Sequence, residues 1–290
     1  MVGSKKFNFL WIAFFLGPGL VGFTIFVLIP IVTSLYISFT EWDLLNSPVF
    51  IGLGNYQTLI ADPDFWMSLK NTVFFILGYL PSVMAIGLGI ALLLNSKLKA
   101  RTFFRGVYFL PVVTSWVAVS LVWSWLFNPV YGLINYFLSL VGVTGPNWLT
   151  DPKTAMIAII ITSVWKDIGF IMVLYLGGLQ NISPSLYEAA SIDGANELNK
   201  FWKITLPMLQ PTTFFVVMIS LINSFQVFDQ VNVMTGGGPG NATNVLVQNI
   251  YQSAFNFFEM GYAAAMSWAL FIIIFSVSIL QMWGERRTKI

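Results

Sequence analysis

The sequence contains no histidine and no cysteine, and few of its residues carry charge. Without histidine the chain lacks the commonest general base and metal ligand, and without cysteine it lacks disulfides, thiolate metal sites and thiol nucleophiles. A membrane enzyme built from this chain would have to rely on isolated carboxylates. No basic patch is interleaved with aromatic residues, which argues against nucleic-acid binding. Only 9% of the residues are charged, against roughly 25% in soluble domains, so a soluble surface is excluded.

Long apolar runs account for most of the chain, of which 57% is hydrophobic. A helix needs about 20 apolar residues to cross the hydrocarbon core of a membrane. The predicted spans lie at about 11–39, 72–94, 107–127, 154–178, 205–228 and 263–283. The first resembles a signal peptide, but it is too long and lacks a small-residue cleavage site, so we expect a retained helix. The prediction is an all-α integral membrane protein, a single transmembrane domain over residues 1–290 with six transmembrane helices.

Lysine and arginine are unevenly distributed between the segments that join these spans. With the N-terminus in the cytoplasm, the inner segments carry eleven of them: Lys5, Lys6, Lys97, Lys99, Arg101, Arg105, Lys200, Lys203, Arg286, Arg287 and Lys289. The outer loops carry only Lys70 and Lys153 and are otherwise acidic. Because basic residues concentrate in cytoplasmic loops, both termini are predicted to be cytoplasmic.

The cytoplasmic segment between the fourth and fifth spans, residues 180–207, is too long for a simple connection. Ser183 or Ser185 could cap a helix that begins near Pro184, and Gly194 could end that helix in a left-handed conformation. The segment is therefore predicted to form a helical elbow at the membrane surface. Such an elbow could rest on lipid or dock a partner, and its amphipathic character alone does not distinguish the two.

The spacing within this elbow resembles the EAA signature of permease subunits in binding-protein-dependent ABC importers. Glu188-Ala189-Ala190 is followed by three residues, Gly194, nine residues, Ile204, one residue and Leu206-Pro207. Every element of that signature is present at the expected spacing. Elsewhere the resemblance extends to the carbohydrate-uptake branch, which includes the maltose and glycerol-phosphate permeases, through Val164-Trp165-Lys166 and the outer stretch from Thr235 to Pro239.

The resemblance implies a type I ABC importer permease fold in a bacterial plasma (inner) membrane. In that family the elbow is a coupling helix, and the residues that match it are Glu188, Ala189, Ala190, Asp193 and Gly194. The implied partners are a second homologous permease, two ATPase subunits that bind ATP and Mg²⁺, and an extracytoplasmic solute-binding protein. This chain has no Walker motif, so it is expected to be neither an enzyme nor a cofactor-binding protein.

Polar residues in the fourth and fifth spans mark a candidate solute pathway, because such residues are costly in a bilayer and usually face a cavity. Alignment with maltose-type permeases through the elbow implies the pathway residues Lys166, Asp167, Phe170, Ile219, Ile222, Asn223, Gln226 and Phe228. The resemblance to the carbohydrate-uptake branch implies that the solute is a sugar, an oligosaccharide or a sugar-like polyol; amides suit sugar hydroxyls, and aromatic rings suit the apolar faces of sugars. The alternatives are that Lys166 and Asp167 form a structural ion pair, within the chain or to a neighbouring helix, and that the amides serve helix packing.

Two other function classes compete with this interpretation. An ion-coupled secondary transporter could bind ions at Lys166, Asp167 and Asp229, but the sequence has no inverted repeat and matches the EAA spacing throughout. A membrane enzyme is the weaker competitor, since histidine and cysteine are missing.

Overall fold

The computed structural model describes residues 5–96 and 100–288, which are mostly helical. The α-helices are α1 (Lys5–Phe23), α2 (Ile29–Ile37), α3 (Gly54–Ala61), α4 (Pro63–Asn95), α5 (Arg101–Phe109), α6 (Trp116–Leu126), α7 (Leu133–Leu140), α8 (Ala155–Gln180), α9 (Pro184–Ile192), α10 (Glu197–Lys200), α11 (Leu206–Met208), α12 (Gln210–Phe225), α13 (Asp229–Met234), α14 (Leu246–Tyr251) and α15 (Met260–Thr288). Strands β1 (Thr40–Glu41) and β2 (Val49–Phe50) form an antiparallel pair. Turns of π-helix lie at Thr24–Leu28, Phe201–Thr205 and Gln252–Asn256, and a 3₁₀ turn lies at Leu110–Val113.

Four helical segments of the described chain are long and apolar enough to cross a membrane. They are Trp11–Ile37, Pro63–Asn95, Ala155–Gln180 and Met260–Gly284. Two bent pairs bring the number to six if each pair is one span: Arg101–Val113 with Trp116–Leu126, and Glu197–Met208 with Gln210–Phe225. The protein is therefore a helical membrane protein with four to six candidate spans.

The two bent pairs differ from the single spans predicted at 107–127 and 205–228. The first pair bends by 100° where Thr114 and Ser115 take extended conformations. The second bends by 63° near Leu209. Pro211 has no N–H to donate to the carbonyl four residues earlier, so the helical ladder is interrupted there.

The predicted spans all lie within the described chain, whereas the basic residues that orient them do so only in part. Lys97, Lys99 and Lys289 lie outside the described residues, as do the first four residues of the predicted 1–290 domain and its last two. The cytoplasmic placement of the termini remains a prediction.

The helices group into two units, each made of two separate stretches of the chain. Unit 1 comprises Met1–Asp62 and Ile250–Phe271, and unit 2 comprises Pro63–Asn249 and Ile272–Ile290. In unit 1, the side-chain amide of Asn55 donates hydrogen bonds to the carbonyls of Ser38 (2.9 Å) and Thr40 (2.8 Å). These bonds hold the end of α2 and strand β1 against α3.

Unit 2 is built on the pairing of α4 with α8. Tyr79 and Val83 of α4 and Ile159, Met172 and Tyr175 of α8 are buried in one apolar cluster. Helix α12 packs on both α4 and α8, and the short α13 packs on α6 and α8. The interior of this unit contains the cavity described next.

Candidate functional site: a polar cavity and a cytoplasmic elbow

A cavity of about 290 Å³ lies within unit 2, among α4, α6, α8 and α12. Its uncharged polar lining consists of Ser163, Asn223, Ser224, Gln226 and Gln230. Its aromatic lining consists of Phe75, Tyr79, Trp116 and Phe228. Asp167 and Asp229 add two carboxylates. A cavity with amides, hydroxyls and ring faces can bind a polyhydroxylated solute through both hydrogen bonds and apolar contact.

The cavity lies where the fifth span ends, before its predicted boundary at residue 228. Helix α12 stops at Phe225, and Phe228 adopts a non-helical conformation (φ −148°, ψ −63°) before α13 begins. The chain turns back into unit 2, and the Gln230 amide donates to the Ser163 hydroxyl at 3.1 Å. The turn places residues on both sides of Phe228 in the cavity wall.

Asp167 is held in the wall by a neighbouring span. The Tyr79 hydroxyl on α4 donates to Asp167 Oδ2 at 2.8 Å. This bond satisfies one carboxylate oxygen and fixes the orientation of the side chain. Because the acceptor is a carboxylate, the bond is of the stronger, charge-assisted kind.

Lys166, which the alignment places in the solute pathway, is not among the residues that line this cavity. Its side chain is only 5% exposed, and its Nζ donates to the Val112 carbonyl at 3.1 Å. The same ammonium lies 4.6 Å from the centre of the Trp116 ring. Lys166 thus contacts both halves of the bent third span. It also makes no ion pair with Asp167 in the described chain, so the predicted structural pair is absent; adjacent residues on a helix do not face each other.

Some of the other predicted pathway residues line the cavity and some do not. Asn223, Gln226 and Phe228 lie in the cavity wall. Phe170 packs instead against the apolar cluster of unit 2, and Ile219 and Ile222 are half-buried on α12 outside the lining.

Tyr79, Trp116 and Gln230 line the cavity but are not among the pathway residues predicted from the sequence. An aromatic residue inside an apolar span carries no distinctive pattern. Gln230 lies beyond the predicted end of the fifth span at residue 228, and the sequence does not predict the turn at Phe228 that brings it to the cavity.

The elbow has the left-handed cap predicted at Gly194. Gly194 has φ +78°, and the Ala195 N–H donates to the Ala190 carbonyl at 2.9 Å, which closes the end of α9. Ser183 occupies the position before the helix but forms no side-chain cap; its hydroxyl pairs with that of Ser185 at 2.8 Å.

The surface of α9 is open to contact. Glu188, Ala189, Asp193 and Gly194 are exposed and Ala190 is half-buried. Ile192, two residues after the Glu188-Ala189-Ala190 triplet and the last residue of α9, is 86% exposed. An exposed isoleucine beside small residues forms an apolar protrusion that a cleft could cover.

A hydrogen bond connects this elbow to the fifth span. The Tyr187 hydroxyl on α9 and the Thr205 hydroxyl, just before α11, lie 2.9 Å apart, and Thr205 is only 5% exposed. Displacement of α9 would therefore be transmitted to the first half, Glu197–Met208, of the bent helix pair that ends in the cavity.

The glycine-rich segment after α13, residues 235–241, is held by hydrogen bonds to other parts of unit 2. Thr243 is fully buried and its hydroxyl donates to the Gly238 carbonyl at 2.6 Å. The Asn71 amide on α4 donates to the carbonyls of Asn241 (2.8 Å) and Asn244 (3.0 Å). This segment is thus tied to the beginning of the second span.

Comparison with known proteins agrees with this architecture. Residues 83–290 match the model of the family described as "Binding-protein-dependent transport system inner membrane component". The chain belongs to this family. It is a multi-pass membrane permease with the type I importer fold.

This permease also resembles individual curated proteins along most of its length. It is 38% identical over 282 residues to the lactose transport system permease protein of Rhizobium radiobacter, covering 95% of this chain and 94% of that protein. It is 36% identical over 262 residues to the trehalose/maltose transport system permease protein of Thermococcus litoralis, covering 89% and 88%.

A solved structure has the same fold. A chain of a bacterial ABC transporter involved in the import of the acidic polysaccharide alginate superimposes on this permease with a TM-score of 0.85 and 25% identity. The match covers 97% of this chain and 96% of the other.

Proposed function

We propose that the chain is one of two homologous permease subunits of an ATP-driven importer in a bacterial plasma membrane, and that its solute is a sugar, an oligosaccharide or a sugar-like polyol. Both termini then lie in the cytoplasm, and an extracytoplasmic binding protein delivers the solute. The observation that carries the proposal is the position of the polar cavity at one end of the bent pair α11–α12, with the elbow at its other end.

The chemistry of the cavity supports a saccharide as solute. Asn223 and Gln226 project amides that can donate to and accept from hydroxyls, and Trp116 and Phe228 offer ring faces. Curated relatives are described as lactose and trehalose/maltose permeases, and the solved structure as an alginate importer. The shared feature of these solutes is a polyhydroxylated ring.

The elbow is the proposed docking site for an ATPase subunit. Ala189 and Ala190 allow close approach of a partner surface, Ile192 supplies apolar area, and Glu188 supplies charge for a basic partner group. Because the sequence has no nucleotide-binding motif, the partner would bind ATP and Mg²⁺ and perform the hydrolysis. This chain would contribute motion and no catalytic residue.

The proposed cycle is a rigid-body transition. Closure of two ATPase subunits on ATP would move α9, and the Tyr187–Thr205 bond would transmit that displacement to α11 and α12. The lining residues Asn223 and Gln226 sit near the far end of α12, so their side of the cavity would change its exposure. Binding protein, permease pair and ATPases would thus act as one assembly.

The test is uptake of labelled maltotriose, lactose and a matched polyol into proteoliposomes that contain the complete transporter and its binding protein. Uptake that requires ATP and stops with a hydrolysis-deficient ATPase supports the proposal. Uptake that persists without the ATPase and follows a proton or sodium gradient would replace it with the secondary transporter. Asp167 and Asp229 in the cavity are the observation in favour of that second candidate.

The assignment of individual pathway residues has its own test. We expect Asn223→Ala to reduce uptake while the complex still assembles, because the amide faces the cavity. Ile219→Ala is the matched control, one turn earlier on α12 and outside the lining. Equal loss of uptake and assembly in Asn223→Ala would support a packing role instead.

A further inference from the structure

The charged groups that line the cavity are all of one sign within the described chain. Asp167 and Asp229 contribute carboxylates, and the other polar lining groups are uncharged amides and hydroxyls. No lysine or arginine of residues 11–96 or 100–284 is among the lining. A solute bound there therefore meets carboxylates, and no cationic side chain, among these lining residues.

Lys166 contributes no ammonium to the cavity lining, although it precedes Asp167 in sequence. Its Nζ donates to the Val112 carbonyl at 3.1 Å and lies 4.6 Å from the centre of the Trp116 ring. Trp116 itself lines the cavity, whereas Lys166 does not. The ammonium is therefore directed to the bend of the third span, and the carboxylates are the charged groups that a solute in the cavity would meet directly.

The two carboxylates differ in setting. Asp167 is oriented by the Tyr79 hydroxyl, which donates to one of its oxygens. Asp229 is less buried, in the first turn of α13. They lie on separate elements, α8 and α13, so the lining carries two carboxylates that can be changed one at a time.

We propose that Asp167 and Asp229 make this permease select against anionic saccharides and favour uncharged or amine-bearing ones. The inference rests on the proposed sugar transport. In a cavity of about 290 Å³ a bound group cannot lie far from the wall. Two like charges about 6 Å apart, at an effective dielectric constant of about 20, change relative affinity by roughly a hundredfold.

The fold itself does not set this charge preference. The alginate importer is described as acting on an acidic polysaccharide, and it shares this fold with a TM-score of 0.85. The same scaffold thus serves a solute of negative charge elsewhere. In this chain the side chains of the cavity would decide which charge is accepted.

The test uses the absence of cysteine from the chain. Val227→Cys, at a lining residue that carries no amide, carboxylate or ring, places a single thiol of this chain in the cavity wall; its alkylation by a maleimide is measured in the purified transporter complex without binding protein. The probes are methyl glucoside, methyl glucuronide and methyl glucosaminide, pyranosides that differ in one group. The concentration of each that protects the thiol from alkylation gives its relative affinity for the cavity.

We expect the glucuronide to protect at least about tenfold more weakly than the glucoside, and the glucosaminide to protect at least as well as the glucoside. Adding Asp167→Asn with Asp229→Asn should bring the glucuronide-to-glucoside ratio close to one. Asp151→Asn, which removes a carboxylate outside the lining, is the matched control and should leave the ratio as it was. Asp229→Asn alone, at the less buried position, should shift the ratio partway if the double variant does not fold.

The outcomes separate this inference from the proposed function. If the glucoside protects but the ratio is near one before and after the Asp→Asn changes, the charge selectivity is refuted and sugar binding stands. If none of the three pyranosides protects at any concentration, the cavity is not a saccharide site and both proposals fall.

Discussion

Gly169 on α8 is a position at which one added methyl group should destabilise the fold directly. A Cβ built there would overlap the Tyr108 carbonyl oxygen and lie 2.9 Å from the Phe109 Cα. Both are backbone atoms of α5, so no side-chain rotation can relieve the contact. We predict that Gly169→Ala forces α5 and α8 apart, which removes the close approach that small residues allow in membrane helix packing.

The magnitude follows from the kind of atoms involved. Adding a methyl group to a well-packed interior typically costs about 1–3 kcal/mol, and a backbone neighbour places this variant near the upper end, at roughly 3 kcal/mol. Separation of α5 from α8 would also lengthen the nearby Lys166–Val112 hydrogen bond, which joins α8 to the turn after α5.

Gly177→Ala on the same helix is the matched control. A Cβ at Gly177 would meet no atom within 4 Å, so the variant should be neutral or gain up to about 0.5 kcal/mol from reduced backbone freedom. The assay is thermal unfolding of both variants in one detergent, followed by tryptophan fluorescence. Gly169→Ala should melt several degrees below the wild type. Equal melting temperatures for the two variants would refute the close α5–α8 contact.

The remaining predictions concern the elbow and the packed outer segment. Gly194→Asp should leave the protein in the membrane but uncouple ATP hydrolysis from uptake. The control Gly142→Asp, at a similar φ of +77° and also in open space, should leave hydrolysis and uptake coupled. Equal effects of the two changes would indicate backbone strain alone. Tyr187→Phe removes the hydroxyl link to the fifth span and should lower uptake per ATP hydrolysed, and an unchanged ratio would contradict that role. Asn71→Ala leaves two carbonyls without their donor and should lower the local stability of the outer segment by about 1–3 kcal/mol. The loss should appear as faster hydrogen exchange in residues 241–246, and unchanged exchange would show that the Asn71 hydrogen bonds do not stabilise this segment.

The membrane class and the elbow could be read from the sequence because their causes are local. Apolar length determines whether a helix can lie in lipid, and the glycine at 194 determines where α9 ends. The bends in the third and fifth spans were harder to predict. Pro211 interrupts the hydrogen-bond ladder, but the 63° angle depends on the helices packed around it.

The cavity was only partly predictable, for a reason visible at residues 166 and 167. A helix turns about 100° per residue, so adjacent polar side chains face different surroundings. Asp167 faces Tyr79 and the cavity, whereas Lys166 faces Val112 and Trp116. Which side of α8 borders open space is decided by how α5 and α6 cross it. The crossing depends on tertiary packing and cannot be predicted from the pattern of polar residues in the sequence.

The tie between the second span and the outer segment has a consequence for biosynthesis. Asn71 and Asn241 are 170 positions apart, and Thr72 accepts from the Leu246 N–H across 174 positions. During translation the second span therefore emerges long before its partners exist. The Thr72 hydroxyl can donate within its own helix, to the Ser68 carbonyl, but the Asn71 amide lacks its two acceptor carbonyls until most of the chain has been inserted. Chains that stall or are truncated before residue 241 would leave this amide without the carbonyls to which it donates in the complete chain.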